Sequence, residues 1–311
     1  MYILYLIAGL FCLYYGAEYL VRGSSAIAYT FGMKKIVVGL TVVAMGTSMP
    51  EFVVSLNSAI TGADSVSIGN IVGSNLANIL LVLGLTGLIN PVSAQKSTLF
   101  IDIPFLIFIT LLFIFFCFDG MLTAGDSIIL LIIFIGYMVY QIINRKDKTI
   151  PEPDSDNIEK GHFLKNGLFS IGGIVGLILG GNLTVKGAVD LAHILGVSDL
   201  IIGLTVVAVG TSLPELFTSV IAALRHEHEI SLGNVIGSNL FNIAFVLGLV
   251  PLISPIEISQ ELIRFDNWFM LGITILMAVF VFHKRQLTRW QGAVLVLLYG
   301  LYVMNLIFNL I

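Results

Sequence analysis

Long apolar runs alternate with short polar stretches along the whole chain. A membrane-crossing helix needs roughly 20 mostly apolar residues, and on that measure ten spans are predicted. Five lie near 2–22, 36–61, 66–90, 99–118 and 124–143, and five near 166–186, 200–224, 230–254, 266–283 and 290–310. The one long polar stretch, 144–165 (NRKDKTIPEPDSDNIEKGHFLK), carries prolines and mixed charges and reads as a solvated linker between two halves. The N-terminal Met1-Tyr2-Ile3-Leu4 lacks the basic opening of a secretory signal, so the first run is expected to stay as a helix. The predicted fold class is an all-α membrane protein, with 1–143 as a first five-helix repeat and 166–311 as a second.

Composition agrees. Of 311 residues, 57% are hydrophobic and 11% charged, against roughly 25% charged in soluble domains. The mean hydropathy is +1.01. This excludes a soluble enzyme, a disordered chain and a nucleic-acid binder, and a net charge of −4 points to no charged partner. Cys12 and Cys117 sit in apolar runs, where a structural disulfide is not expected.

The halves are copies. GLTVVAMGTSMPE (Gly39 to Glu51) returns as GLTVVAVGTSLPE (Gly203 to Glu215), and SIGNIVGSNLANI (Ser67 to Ile79) as SLGNVIGSNLFNI (Ser231 to Ile243). The offset is 164 in both, and Val37–Val92 aligns with Ile201–Ile256 without a gap, with 29 identities in 56 positions. Because Thr, Ser, Pro, Glu, Asn and Gly all recur in register, a small apolar alphabet does not explain the match. The register reaches back to Gly16/Gly180 and Gly23/Gly187. Five spans per half is odd, so the second copy must enter the membrane from the other side, as an inverted repeat. With the N-terminus outside, inner loops hold Lys34, Lys35, Lys96, Arg145, Lys146, Lys148, Lys160, Lys165, Arg225, Lys284, Arg285 and Arg289, which is 12 of the 15 Lys and Arg. That bias predicts both termini outside the cell membrane and a cytoplasmic linker.

Glu51 and Glu215 fall mid-span, where an acid is costly unless it meets a partner or a wet cavity. No basic residue lies at that depth in any span, which disfavours a structural ion pair; two acids at repeat-related positions suggest a shared cation. Pro50 and Pro214 lack an amide proton and should break the helix near Gly46-Thr47 and Gly210-Thr211. The freed carbonyls of Thr47 and Thr211 then need protein or a cavity. Thr47 and Glu51 share a helical face, as do Thr211 and Glu215. A hard cation such as Ca2+ takes about 6–8 oxygens, and two such runs facing each other could supply most of them. In the second motif, Ser74 and Asn78 are four apart, as are Ser238 and Asn242. Asn78 and Asn242 are read as lining the site, and Asn70, Asn75, Asn234 and Asn239 as bridging helices. Gly69, Gly73, Gly233 and Gly237 are read as packing positions.

Other polar residues read more plainly. Glu18 has Asn182 as its repeat partner, so symmetry gives it no ligand role. Asp102, Asp119 and Asp126 lie near span ends. Arg225-His226-Glu227-His228-Glu229 could hold a metal but reads better as a solvated turn. All five histidines fall in loops or at span ends, which argues against a core proton relay.

GTSMPE and GTSLPE, each followed by GNxxGSN, resemble the α-repeats of the calcium:cation antiporter superfamily, most nearly its sodium/calcium exchanger branch with the archaeal exchangers of this length. The resemblance covers nearly the whole chain. It implies Ca2+ held by Glu51 and Glu215 with the carbonyls of Thr47 and Thr211, and flanking Na+ sites at the Ala44 and Ala208 carbonyls and the hydroxyls of Ser48, Ser212, Ser74 and Ser238. It also implies a first and a sixth helix, loosely packed by glycines, that slide over a rigid remainder. One departure stands out: relatives carry an aspartate in one repeat where this chain has Asn78 and Asn242. Two carboxylates balance one Ca2+ or two Na+, which leaves the stoichiometry open.

The expected function is therefore antiport of Na+ against Ca2+ by alternating access, with H+ as the alternative counter-ion. Expected partners are Ca2+, Na+ and the lipid bilayer, with no prosthetic group, no nucleic acid and a single chain sufficient. An intramembrane enzyme is disfavoured, since there is no buried histidine, cysteine pair or GxSxG run, and a passive pore fits an inverted repeat less well.

Overall fold

The computed structural model describes residues 1–145, 160–195, 208–260 and 262–309. Its elements are α1 (Tyr2–Thr30), α2 (Lys35–Thr47), α3 (Met49–Ile60), α4 (Asp64–Ile89), α5 (Thr98–Phe116), α6 (Ala124–Asn144), α7 (Lys160–Ile194), α8 (Ala208–Thr211), α9 (Leu213–Leu224), α10 (His228–Ile253), α11 (Leu262–Lys284) and α12 (Arg289–Asn309). Among the described residues seven helices are long and apolar enough to cross a membrane, or eight if α2 and α3, bent by 48° at their junction, form one span. Of the remaining expected spans, the seventh lies partly outside the described residues and the tenth corresponds to α12. The helix α7 starts at Lys160, inside the stretch expected to be linker; 146–159 lie outside the described residues.

The polarity is that of a protein in lipid. Phe100, Phe115, Ile132 and Leu297 are exposed, while Glu51, Glu215, Asp102, Asn78 and Asn242 are completely buried. Lipid cannot satisfy backbone or polar side chains, so they turn inward.

The helices α1 and α7 run antiparallel along a glycine seam. A Cβ on Gly173 would stand 2.5 Å from the Leu20 nitrogen and 2.7 Å from the Gly16 oxygen; one on Gly180 would stand 2.7 Å from the Leu13 nitrogen and 2.8 Å from the Gly9 oxygen. These pairs are reciprocal under the 164-residue offset: Gly9 meets Gly180, and Gly16 meets Gly173. The glycines thus join the first and sixth helices to each other. Without side chains between them, the two backbones pack directly on each other. A second contact joins α2 to α10, where a Cβ on Gly233 would lie 3.0 Å from the Gly39 Cα. Gly69 and Gly73 meet nothing within 4 Å among the described residues.

Among the described residues four short strands cross-connect the halves: β1 (Val92–Ser93), β2 (Met121–Leu122), β3 (Ile256–Glu257) and β4 (Gln286–Leu287). Val92 pairs with Leu287 and Leu122 with Ile256, both antiparallel.

Three polar clusters lie away from the mid-span acids. Asp102 is a buried hub: Tyr137 donates to Oδ1 at 2.6 Å, Gln141 donates to Oδ1 at 2.6 Å, and Arg145 Nη1 pairs with Oδ2 at 2.8 Å. Arg145, expected in solvent, is buried because α6 ends beside Asp102. Glu18 is tied to Arg225 and, at 3.1 Å, to Arg22. In the run expected to be a solvated turn, Glu227 takes Lys35 Nζ at 2.7 Å, and Glu229 accepts from the Ile36 N–H at 3.2 Å and from Gln95. That run caps the start of α2.

Candidate cation site

Each GTSxPE run is a broken helix. Pro50 has no N–H to give, and the ladder resumes with Phe52 N–H to the Ser48 carbonyl at 3.2 Å; in the second half Leu216 N–H meets the Ser212 carbonyl at 3.0 Å. Ser48 and Ser212 have nearly the same backbone, φ −87° with ψ 9° and 5°. Glu51 and Glu215 therefore stand in the first turn after the break, each at the buried N-terminal end of a helix.

An asparagine holds each acid's helix in place. Asn70 Nδ2 donates to the Glu51 carbonyl at 3.1 Å and to Ser55 Oγ at 2.9 Å; Asn234 Nδ2 donates to the Glu215 carbonyl at 3.2 Å and to Ser219 Oγ at 2.9 Å. The halves then meet. Thr47 Oγ1 donates to Asn234 Oδ1 at 3.0 Å and lies 3.5 Å from Ser238 Oγ, and Ser48 Oγ donates to Glu215 Oε1 at 2.8 Å. Glu51 and Glu215 are electrostatic neighbours, and Ser74 is the hydroxyl beside Glu51. The arrangement thus brings Thr47, Ser48, Ser238 and Glu215 into one hydrogen-bonded group across the halves, with Glu51 and Ser74 adjoining it.

Asn78 and Asn242 open the two π-helical turns Asn78–Leu83 and Phe241–Val246, in which the ladder widens. Asn78 is the first residue of its turn and Asn242 the second. No sequence signal announces those turns. Asn78 Nδ2 donates to Asn239 Oδ1 at 3.1 Å, and Asn242 Nδ2 donates to Asn75 Oδ1 at 3.4 Å. Asn75 and Asn239 therefore act as bridges behind the other two. The Ala44 carbonyl accepts from Ser48 N–H at 3.0 Å and from Thr47 Oγ1 at 3.2 Å. Ala208 and Thr211 bound the short helix α8.

Among the described residues, six oxygens in these runs are buried and accept or donate no hydrogen bond: both of Glu51, Oε2 of Glu215, Oγ of Ser212, and Oδ1 of Asn78 and of Asn242. Buried polar atoms are almost always partnered, so such a cluster fits a hard cation. Among the described residues no group of three or more His, Cys, Asp or Glu assembles. Both cysteines are free.

A multi-pass helical membrane protein with an oxygen-lined, acid-centred interior is the class that fold and site define. The chain matches the sodium/calcium exchanger protein family over residues 1–143 and 165–308, and it belongs to that family. It is similar to the putative antiporter CaxA of Alkalimonas amylolytica (35% identical, covering 94% of this chain and 95% of that one). It is also similar to the sodium/calcium exchanger MaX1 of Methanosarcina acetivorans (32%, covering 98% of each). Among solved structures it resembles the sodium-calcium exchanger NCX_Mj, with a TM-score of 0.87 at 34% identity, covering 98% of this chain and 99% of the other. Family and fold are those of transporters, and the chain is a multi-pass membrane protein supporting cation/Ca2+ antiport.

Proposed function

We propose that the chain exchanges Na+ for Ca2+ across the cell membrane by alternating access at the Glu51–Glu215 site. The observation that supports this most is the convergence of two buried acids among oxygens without hydrogen-bond partners. Glu51, Glu215 and the carbonyls of Thr47 and Thr211 would hold Ca2+; Ser48, Ser212, Ser74, Ser238 and the carbonyls of Ala44 and Ala208 would serve Na+; Asn78 and Asn242 would line the site. The ions would compete because both draw on the charge of the same two acids, Glu51 and Glu215. The reading includes ten spans in two inverted halves, both termini outside, a cytoplasmic 144–165 linker and a single chain as the working unit.

The test is Ca2+ flux in proteoliposomes of the full chain. A Na+ gradient at clamped pH is expected to drive Ca2+ uptake. Uptake driven by a pH gradient and indifferent to Na+ would replace Na+ with H+ as counter-ion, and no Ca2+ movement under either would overturn the exchange reading.

A further inference from the structure

We propose that His226 and His228 form a second cation site, for a transition-metal divalent ion of the Zn2+ class, apart from the oxygen-lined interior. The proposal stands independently of the exchange reading above.

The two histidines sit in the turn between α9 and α10, where every charged residue is engaged. Arg225 is paired with Glu18 of α1, Glu227 takes Lys35 Nζ at 2.7 Å on each oxygen, and Glu229 accepts from the Ile36 N–H at 3.2 Å and from Gln95. The imidazoles lie between these contacts, and among the described residues Nδ1 of His228 is buried with no hydrogen-bond partner. A buried polar atom without a partner is rare.

Both rings line a cavity of about 350 Å3, together with Lys35, Gln95, Glu227 and Glu229. The cavity has a repeat counterpart. The 164-residue offset relates Ser259 to Gln95, Gly62 to His226 and Asp64 to His228, and these three line a second cavity of about 410 Å3 with Ser65 and Glu257. The same place in the two halves is thus furnished with ring nitrogens in one and with carboxylate and hydroxyl oxygens in the other.

The backbone at 226 favours no side chain. Gly62 follows α3 at φ 74°, in the left-handed conformation that suits glycine after a helix, and His226 follows α9 at φ 61°. The turns are otherwise alike: the Ala63 N–H meets the Ser58 carbonyl and the Glu227 N–H the Ala222 carbonyl, each at 2.8 Å. A residue with a Cβ is disfavoured in that conformation, so a histidine in glycine's place points to a use for its ring.

The ring centres of His226 and His228 lie 6.0 Å apart, with the planes at 69°. With metal–nitrogen bonds of about 2.0–2.1 Å, two imidazoles on one ion stand roughly 5–6 Å apart centre to centre, so the pair is within reach of a shared ion. Imidazole nitrogen suits Zn2+, Cu2+ and Ni2+, whereas Ca2+ takes oxygen. Among the described residues no third His, Cys, Asp or Glu joins the pair, so water completes the coordination. An ion held there would fix the turn that fastens α10 to α1 and α2.

The experiment is a Zn2+ titration of the purified full chain in detergent, free of any affinity tag and with Ca2+ in excess to occupy sites for hard cations. Bound Zn2+ is counted and the melting temperature followed. His226→Gly installs the residue that the repeat carries at that place and so keeps the turn; His228→Gln removes the other ring. The expected result is one Zn2+ per chain that Ca2+ does not displace and that raises the melting temperature. Each variant should bind it at least about tenfold more weakly. Zn2+ held equally well by either variant, displaced by Ca2+, or not bound by the native chain would overturn the site.

Discussion

Ser48 reaches across the halves to donate its hydroxyl to Glu215, whereas among the described residues the hydroxyl of its repeat partner Ser212 makes no hydrogen bond and neither oxygen of Glu51 has a partner. Two nearly identical sequences thus stand in different local states. The site has one hydrogen-bonded acid and one open one.

Replacing either acid by its amide, Glu51→Gln or Glu215→Gln, should abolish Ca2+ transport, because a single carboxylate cannot balance a divalent ion at membrane depth. Na+-driven Ca2+ uptake by vesicles holding each variant is the check. Uptake at the native rate by either one would remove the acids from the site.

The asymmetry predicts unequal serines. Ser48→Ala loses a hydrogen bond to a carboxylate, a class worth about 1.5–3 kcal/mol, while Ser212→Ala loses none. Melting temperatures of the two variants in detergent without Ca2+ should differ, Ser48→Ala being lower. Equal melting temperatures would show that the bond contributes nothing.

Adjacent glycines on α7 give an internal control. A methyl group at Gly173 would collide with α1, and one at Gly172 meets nothing within 4 Å. Gly173→Ala should destabilise by about 1–3 kcal/mol through overpacking and slow transport. Gly172→Ala should do neither. Thermal unfolding and Ca2+ uptake on the pair decide it.

Asp102→Asn removes the charge that holds Arg145 at 4% side-chain exposure. Leaving one partner of a buried pair alone costs about 3–5 kcal/mol, so thermal stability should fall steeply. Replacing both residues with apolar side chains of similar volume should recover most of it, and no recovery would mean that Arg145 is held by something other than Asp102.

The orientation is checked with a cysteine placed in the linker, in a background lacking Cys12 and Cys117. An impermeant thiol reagent added outside intact cells should leave it unlabelled, and labelling would reverse the assigned topology.

The broken helices at Pro50 and Pro214 were legible because proline removes a donor wherever it stands. The repeat was legible because polar identities recur at a fixed offset. Asp102 was read as a residue near a span end, since one acid near a membrane face carries no message alone. A signal did exist: Tyr137, Gln141 and Arg145 are spaced four apart, a polar stripe on one face of α6 that calls for a buried partner. The glycine seam was visible in register, but its partner was not, because a missing side chain can mean a gap or a backbone contact. The π turns at Asn78 and Asn242 have no sequence signature at all, being set by packing between the halves.

The crossed strands have a consequence for how the chain is made. Val92 pairs with Leu287 and Leu122 with Ile256, so each half closes only on a strand supplied by the other. During synthesis Val92 leaves the ribosome long before Leu287 exists. Chains are made at about 5–20 residues per second, so the edge at Val92 stays open until Leu287 has been made. The pairing of β1 and β2 therefore waits on strands that lie about 135 to 195 residues further along the chain.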